Sequence, residues 1–84
     1  MHRIEYLESV VREDIPGLSK PDKLRIKKAI EEKLVKDPIR FGKPLQYSLK
    51  GCRRLRVGDY RVIYVIEKEV VLIVKIGHRK EVYR

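Results

Sequence analysis

The chain is poor in the features that staple or deepen a protein. It has one cysteine, Cys52, so it can form neither an internal disulfide nor a cysteine-rich zinc site, and a reducing compartment is the expected home. Its longest apolar run, Val70 to Val74, falls far short of the ~20 residues that span a bilayer. Nothing near the start has the order of a secretory leader. A cytoplasmic location with no membrane partner is therefore expected. Acidic residues are scarce, with 12 Asp and Glu against 21 Lys and Arg and a formal net charge of +9. Such an excess points to nucleic acid, an anionic surface or an acidic protein. No repeat, linker or low-complexity stretch interrupts the 84 residues, which are expected to form one domain, 1–84. A domain of that size buries only roughly 60–65% of its unfolded surface, which excludes a deep catalytic cavity. Any chemistry has to sit on an open face, and no metal or cofactor is expected.

What the chain does have is arginine set among alternating apolar residues, from Gly51 to Tyr64. Gly58-Asp59 is a two-residue hairpin signal between two alternating runs. The pairing that follows sets Val57 opposite Tyr60, Arg56 opposite Arg61, Leu55 opposite Val62 and Arg54 opposite Ile63. One face then carries Leu55, Val57, Tyr60, Val62 and Tyr64, which suits a core. The other collects Arg54, Arg56 and Arg61. Like charges across strands oppose folding, so this cluster calls for an anionic partner, and a polyphosphate chain suits guanidinium groups best. Residues 51–84 hold nine Lys and Arg against four Asp and Glu, whereas residues 1–50 hold twelve against eight. The basic excess is denser where the hairpin lies.

Elsewhere the pattern predicts an N-terminal strand over His2 to Leu7, then a brief helix from a Ser9 cap to Ile15, stopped by Pro16-Gly17. Ser19 and Asp22 have the spacing of a capping box. Ile26, Ala29, Ile30, Lys33 and Leu34 follow at helical intervals, and Asp37-Pro38 ends that helix. Phe41 to Lys50 is expected to be a connecting loop with a short irregular strand around Leu45 to Leu49. Val70 to Ile76 is β-branched and suits a strand buried on both faces. The order predicts an α+β fold, in which an antiparallel helical hairpin packs on one face of an antiparallel β-meander.

Several of these residues also fall in a known order. Pro44-Leu45, Leu49 to Gly51, Arg54 to Tyr64 and Ile76 to Tyr83, with the lysine-rich helices ending at Asp37-Pro38, resemble the RelE/ParE superfamily of bacterial and archaeal toxins. The closing stretch His78 to Tyr83 resembles the RelE branch. That resemblance implies a RelE-like fold and an endoribonuclease that enters the ribosome and cuts messenger RNA in the A site. It also implies a small antitoxin partner, acidic where it crosses the arginine face. Operator DNA would be bound only through that antitoxin. Two alternatives stay open: a ParE-like inhibitor of DNA gyrase, and a weakly active toxin that serves mainly in a toxin–antitoxin repressor complex.

In RNA cleavage of this type the ribose 2′-oxygen attacks the adjacent phosphate, leaving a 2′,3′-cyclic phosphate and a 5′-hydroxyl end. The reaction needs in-line geometry, proton transfer and positive charge at the phosphorane. Arginines keep their charge at physiological pH, so they suit the third need. The resemblance sets Arg61 and Arg79 on phosphate-contacting and leaving-group positions, and Arg54 near the nucleophile. It makes Tyr83 a residue that stacks on the attacked nucleotide, a mode that needs no base identity. The alternatives are solvated sheet charges for the arginines and a core-edge residue for Tyr83. Tyr60 and Tyr64 share the core face and are expected to pack. Arg56 is an RNA-binding candidate. So is His78, a general acid or base if it points into the arginine face; a continuing strand would set His78 and Arg79 on opposite sides, and Arg79 is then the preferred site residue. Lys27 and Lys28 either grip ribosomal RNA or belong to a solvated helix face with Glu–Lys pairing. Cys52 stands where the RelE pattern commonly has a lysine, which leaves the proton acceptor unassigned. Only Arg84 follows Tyr83, so the C-terminal helix of some relatives is not expected.

Overall fold

Strand β1 (Arg3–Tyr6) opens the chain, followed by helical turn α1 (Val10–Asp14) and helix α2 (Lys20–Ala29). This computed structural model describes residues 1–46 and 49–82. Helix α2 continues as a wider π turn over Ile30–Leu34, and a single turn α3 (Pro38–Phe41) leads to β2 (Lys43–Pro44). Then come β3 (Arg53–Val57), β4 (Tyr60–Glu67), β5 (Val70–His78) and a closing turn α4 (Arg79–Val82). Among the described residues five strands make one sheet, in the order β1-β5-β4-β3-β2. β3, β4 and β5 form the expected antiparallel meander, while β1 lies parallel beside β5. Its parallel entry needs the helices as a crossover, because a tight turn cannot join parallel strands.

The helices pack on one face of the sheet. Val10, Ile26, Ile30 and Leu34 meet Leu55, Val57, Val62, Tyr64, Val71, Ile73 and Ile76 in one buried cluster. Among the described residues no helix is long and apolar enough to cross a membrane. The fold is the expected α+β arrangement, with the core on the helix side of the sheet.

The local expectations fare unevenly. Ser19 accepts from the Asp22 amide at 3.2 Å, as a cap should. Ser9 does not cap; its backbone is already helical and its side chain makes no capping bond. The amides of Val10 and Val11 donate to Leu7 O instead, so the turn starts earlier than a serine signal suggests. Asp37-Pro38 both ends one helix and begins another, since the Asp37 carboxylate accepts from the Arg40 amide at 3.1 Å. The edge strand lies at Lys43–Pro44, paired with Arg54 and Arg53, and not at Leu45 to Leu49; positions 47 and 48 of that expectation lie outside the described residues. β5 is not buried evenly on both faces. Its register shifts between Ile63 and Tyr64, which pair with Lys75 and Ile73 and leave Val74 as a bulge. One extra residue flips the alternation, so Ile73 and Ile76 are both buried while Lys75 is exposed.

Candidate functional site

The hairpin forms with the expected register, Arg56 opposite Arg61 and Arg54 opposite Ile63. Gly58 holds φ +60 at the turn, the left-handed region that glycine reaches without a Cβ penalty. Leu55, Val57, Val62 and Tyr64 are buried against the helices, so strict alternation turns Arg54, Arg56 and Arg61 to the opposite face. Cys52 and Arg54 direct their backbone groups toward β2, since Cys52 O accepts from the Leu45 amide. Arg56 continues that phase, so Arg56 and Arg61 form a non-hydrogen-bonded pair, the kind that brings side chains closest.

Their environments differ. Arg56 is exposed and Arg54 half-buried, whereas Arg61 is only 7% exposed. Its Nη1 donates to Tyr60 O at a long 3.3 Å. Its Nε is buried without a hydrogen-bond partner among the described residues. Gly77 is the residue across β5 from Arg61, so no side chain from that position competes for space. A dehydrated guanidinium with an idle donor is costly to keep.

Arg79 is exposed and does not continue β5, because the strand ends at His78 and Arg79 opens α4. The Arg79 amide donates to Asp59 O at 2.8 Å, which ties the start of α4 to the hairpin tip. The strand does not continue, so the condition for setting His78 and Arg79 on opposite sides of one strand is not met. His78 lies in register with Tyr60 on the helix side, their rings edge to face at 5.6 Å. Its Nδ1 accepts from the Lys80 amide at 3.2 Å, so the imidazole sits away from the arginine face. Tyr83 lies outside the described residues. The one-turn helix Arg79–Val82, which precedes Tyr83, packs on β5 and β4.

Lys27 and Lys28 stand on α2, in the helical layer, across the sheet from the arginines. Each faces a glutamate one turn on, Glu31 at 3.9 Å and Glu32 at 4.0 Å. Cys52 is half-buried and free. Its amide donates to Leu49 O at 3.0 Å, which fixes the entry to β3.

Sequence reasoning missed Arg53. It points to the helix side, where Nη2 donates to Ile39 O at 2.6 Å and Gly42 O at 2.9 Å. Beside it the fully buried Tyr64 hydroxyl donates to Pro38 O at 2.5 Å. These bonds answer the carbonyls left open around the α3 turn and anchor the edge next to Arg54. The only available signal was parity, since Arg53 shares the alternation phase of Leu55.

Residues 9–83 match the family described as ParE toxin of type II toxin-antitoxin system, parDE. The chain belongs to this family of toxins. Two Mycobacterium tuberculosis proteins, Toxin RelG and Toxin RelE, are 42% and 43% identical to it over 53 residues. That stretch is 61% of this chain and only 61% and 55% of those two proteins, so the chain aligns with less than two-thirds of either. The toxin–antitoxin complex RelBE2 from the same organism matches with a TM-score of 0.85 and 28% identity, covering 95% of this chain and 93% of that one. Within the RelE/ParE superfamily the toxin is thus RelE-like.

Proposed function

We propose that this RelE-like chain is the toxin of a type II toxin–antitoxin pair and an endoribonuclease that cleaves messenger RNA in the ribosomal A site. One observation carries the reading: Arg61 is held nearly dry, with an idle Nε, directly across from Arg56 on the face turned away from the helices. The ribose O2′ forms a bond to phosphorus while the bond from phosphorus to O5′ breaks. The 2′-hydroxyl proton leaves for an acceptor, and O5′ gains a proton as it departs. Arg61 meets the non-bridging phosphate oxygens as charge builds in the phosphorane, where preorganised charge is worth most. Arg54 stands on the neighbouring strand, diagonal to Arg61 and two residues before Arg56, and Arg79 approaches from the hairpin tip toward the leaving oxygen. Tyr83 stacks on the attacked nucleotide. The ribosome supplies the in-line geometry that an open sheet face lacks. An acidic antitoxin silences the toxin by covering the same arginines.

The test is induction of the toxin, followed by primer extension on translated messages. New 5′ ends within codons are expected for the wild type, and Arg61→Ala should lower their yield about a hundredfold while the circular dichroism spectrum is kept. Full cleavage by an Arg61→Ala, Arg79→Ala double variant would end the proposal. The family's ParE description favours one second reading, inhibition of DNA gyrase. Growth arrest with uncut messages and trapped gyrase–DNA complexes would select it.

A further inference from the structure

Beyond the arginine face a second basic feature wraps around the edge of the sheet. β2 pairs with β3 at Lys43 and Pro44. The chain before Lys43 is the α3 turn, so the edge of β3 past Arg54 lies next to Phe41 instead of a strand. There a groove of about 220 Å³ opens, lined by Lys33, Phe41, Lys43, Arg54, Leu55 and Arg56. Four of its six lining residues are cationic and none is acidic. Phe41 is 40% exposed, with Lys33 Nζ 6.0 Å and the Arg40 guanidinium 5.5 Å from its ring centre.

We infer that this groove binds single-stranded RNA flanking the cleaved bond, with Phe41 as a stacking platform and Lys33 and Lys43 on phosphates. The inference rests on the nuclease reading for the direction of the strand, since Arg54 and Arg56 belong to both the groove and the arginine face. A flat ring held among cations suits a nucleotide, which brings a π-face and an anion at a fixed separation. An acidic peptide brings the charge without that pairing.

The test uses the purified free toxin and a short fluorescein-labelled RNA, 2′-O-methylated throughout so that it cannot be cut, with fluorescence anisotropy read across a salt series. Phe41→Leu keeps apolar volume but removes the ring; affinity should drop roughly fivefold or more with the salt slope unchanged, and Phe41→Trp should restore it. Lys43→Ala should instead lower the slope of log affinity against log salt by about 0.7, the value for one phosphate contact on a single strand. Both responses together support the groove. Unchanged RNA affinity in both folded variants, or no binding by the wild type, overturns it. So does loss of antitoxin binding with RNA binding intact, which would make the groove a protein site. Primer extension in parallel separates the two readings. If the wild type gives no cleavage while the groove variants still respond, the nuclease reading falls and the RNA groove stands. Cleavage with unresponsive groove variants sinks the groove alone.

Discussion

Arg61 and Tyr64 lie three residues apart on β4 and serve opposite ends. Arg61 keeps a buried, poorly bonded charge, a state that natural proteins retain where function needs it. Arg61→Met fills similar space without charge, so it should raise stability by about 1 kcal/mol while removing cleavage. In a domain of this size that is a rise in Tm of about 4–8 °C, readable by thermal denaturation; a fall in Tm would show that the guanidinium is well satisfied. Tyr64 serves the fold. A Cβ at Gly42 would lie 1.7 Å from its hydroxyl oxygen, so Gly42→Ala should cost about 1–3 kcal/mol in urea unfolding. Burial raises the Tyr64 phenol above its ordinary 10.0, opposed by the Arg53 guanidinium and aided by Asp37. Folding thus favours the protonated phenol. Its contribution is whole below pH 10 and is lost as pH climbs through the raised folded value. The wild-type Tm should fall faster above pH 10 than that of Tyr64→Phe.

Turns dictate which elements could be read from the chain. The β3–β4 hairpin was legible because Gly58-Asp59 fixes a two-residue loop and the alternation is unbroken on both sides. The β4–β5 turn was not, because Lys68 occupies the left-handed position, φ 55, where a glycine would have announced it. Lys68→Gly should remove about 1 kcal/mol of backbone strain and raise Tm; no change would mean the longer glycine entropy offsets the relief. β1 escaped placement because its partner lies 67 residues along the chain, Arg3 against Val70, and parallel pairing leaves no local mark. The bulge at Val74 is equally silent, and without it the side of His78 could not be assigned. At the site, the arginine register was legible from parity alone. The dryness of Arg61 and the anchoring of Arg79 to Asp59 depend on contacts made only after the sheet closes.

The whole molecule separates its charge by layer. In the helical layer Lys27 and Lys28 stand beside Glu31 and Glu32, whereas Arg54, Arg56 and Arg61 share a strand face in a chain of net charge +9. Long-range attraction to a polyanion should therefore be set by the sheet side. Each phosphate contact adds about 0.7–0.9 to the slope of log affinity against log salt, so these three arginines together with Arg79 predict a slope of about −3 or steeper for ribosome binding. Co-sedimentation of the toxin with ribosomes across a salt series measures it. Arg56→Ala should flatten the slope by about one contact, and Lys27→Ala with Lys28→Ala should leave it unchanged, since those lysines already have partners. If the lysine pair changes the slope and Arg56 does not, the ribosome meets the helical layer and the sheet face is not what docks.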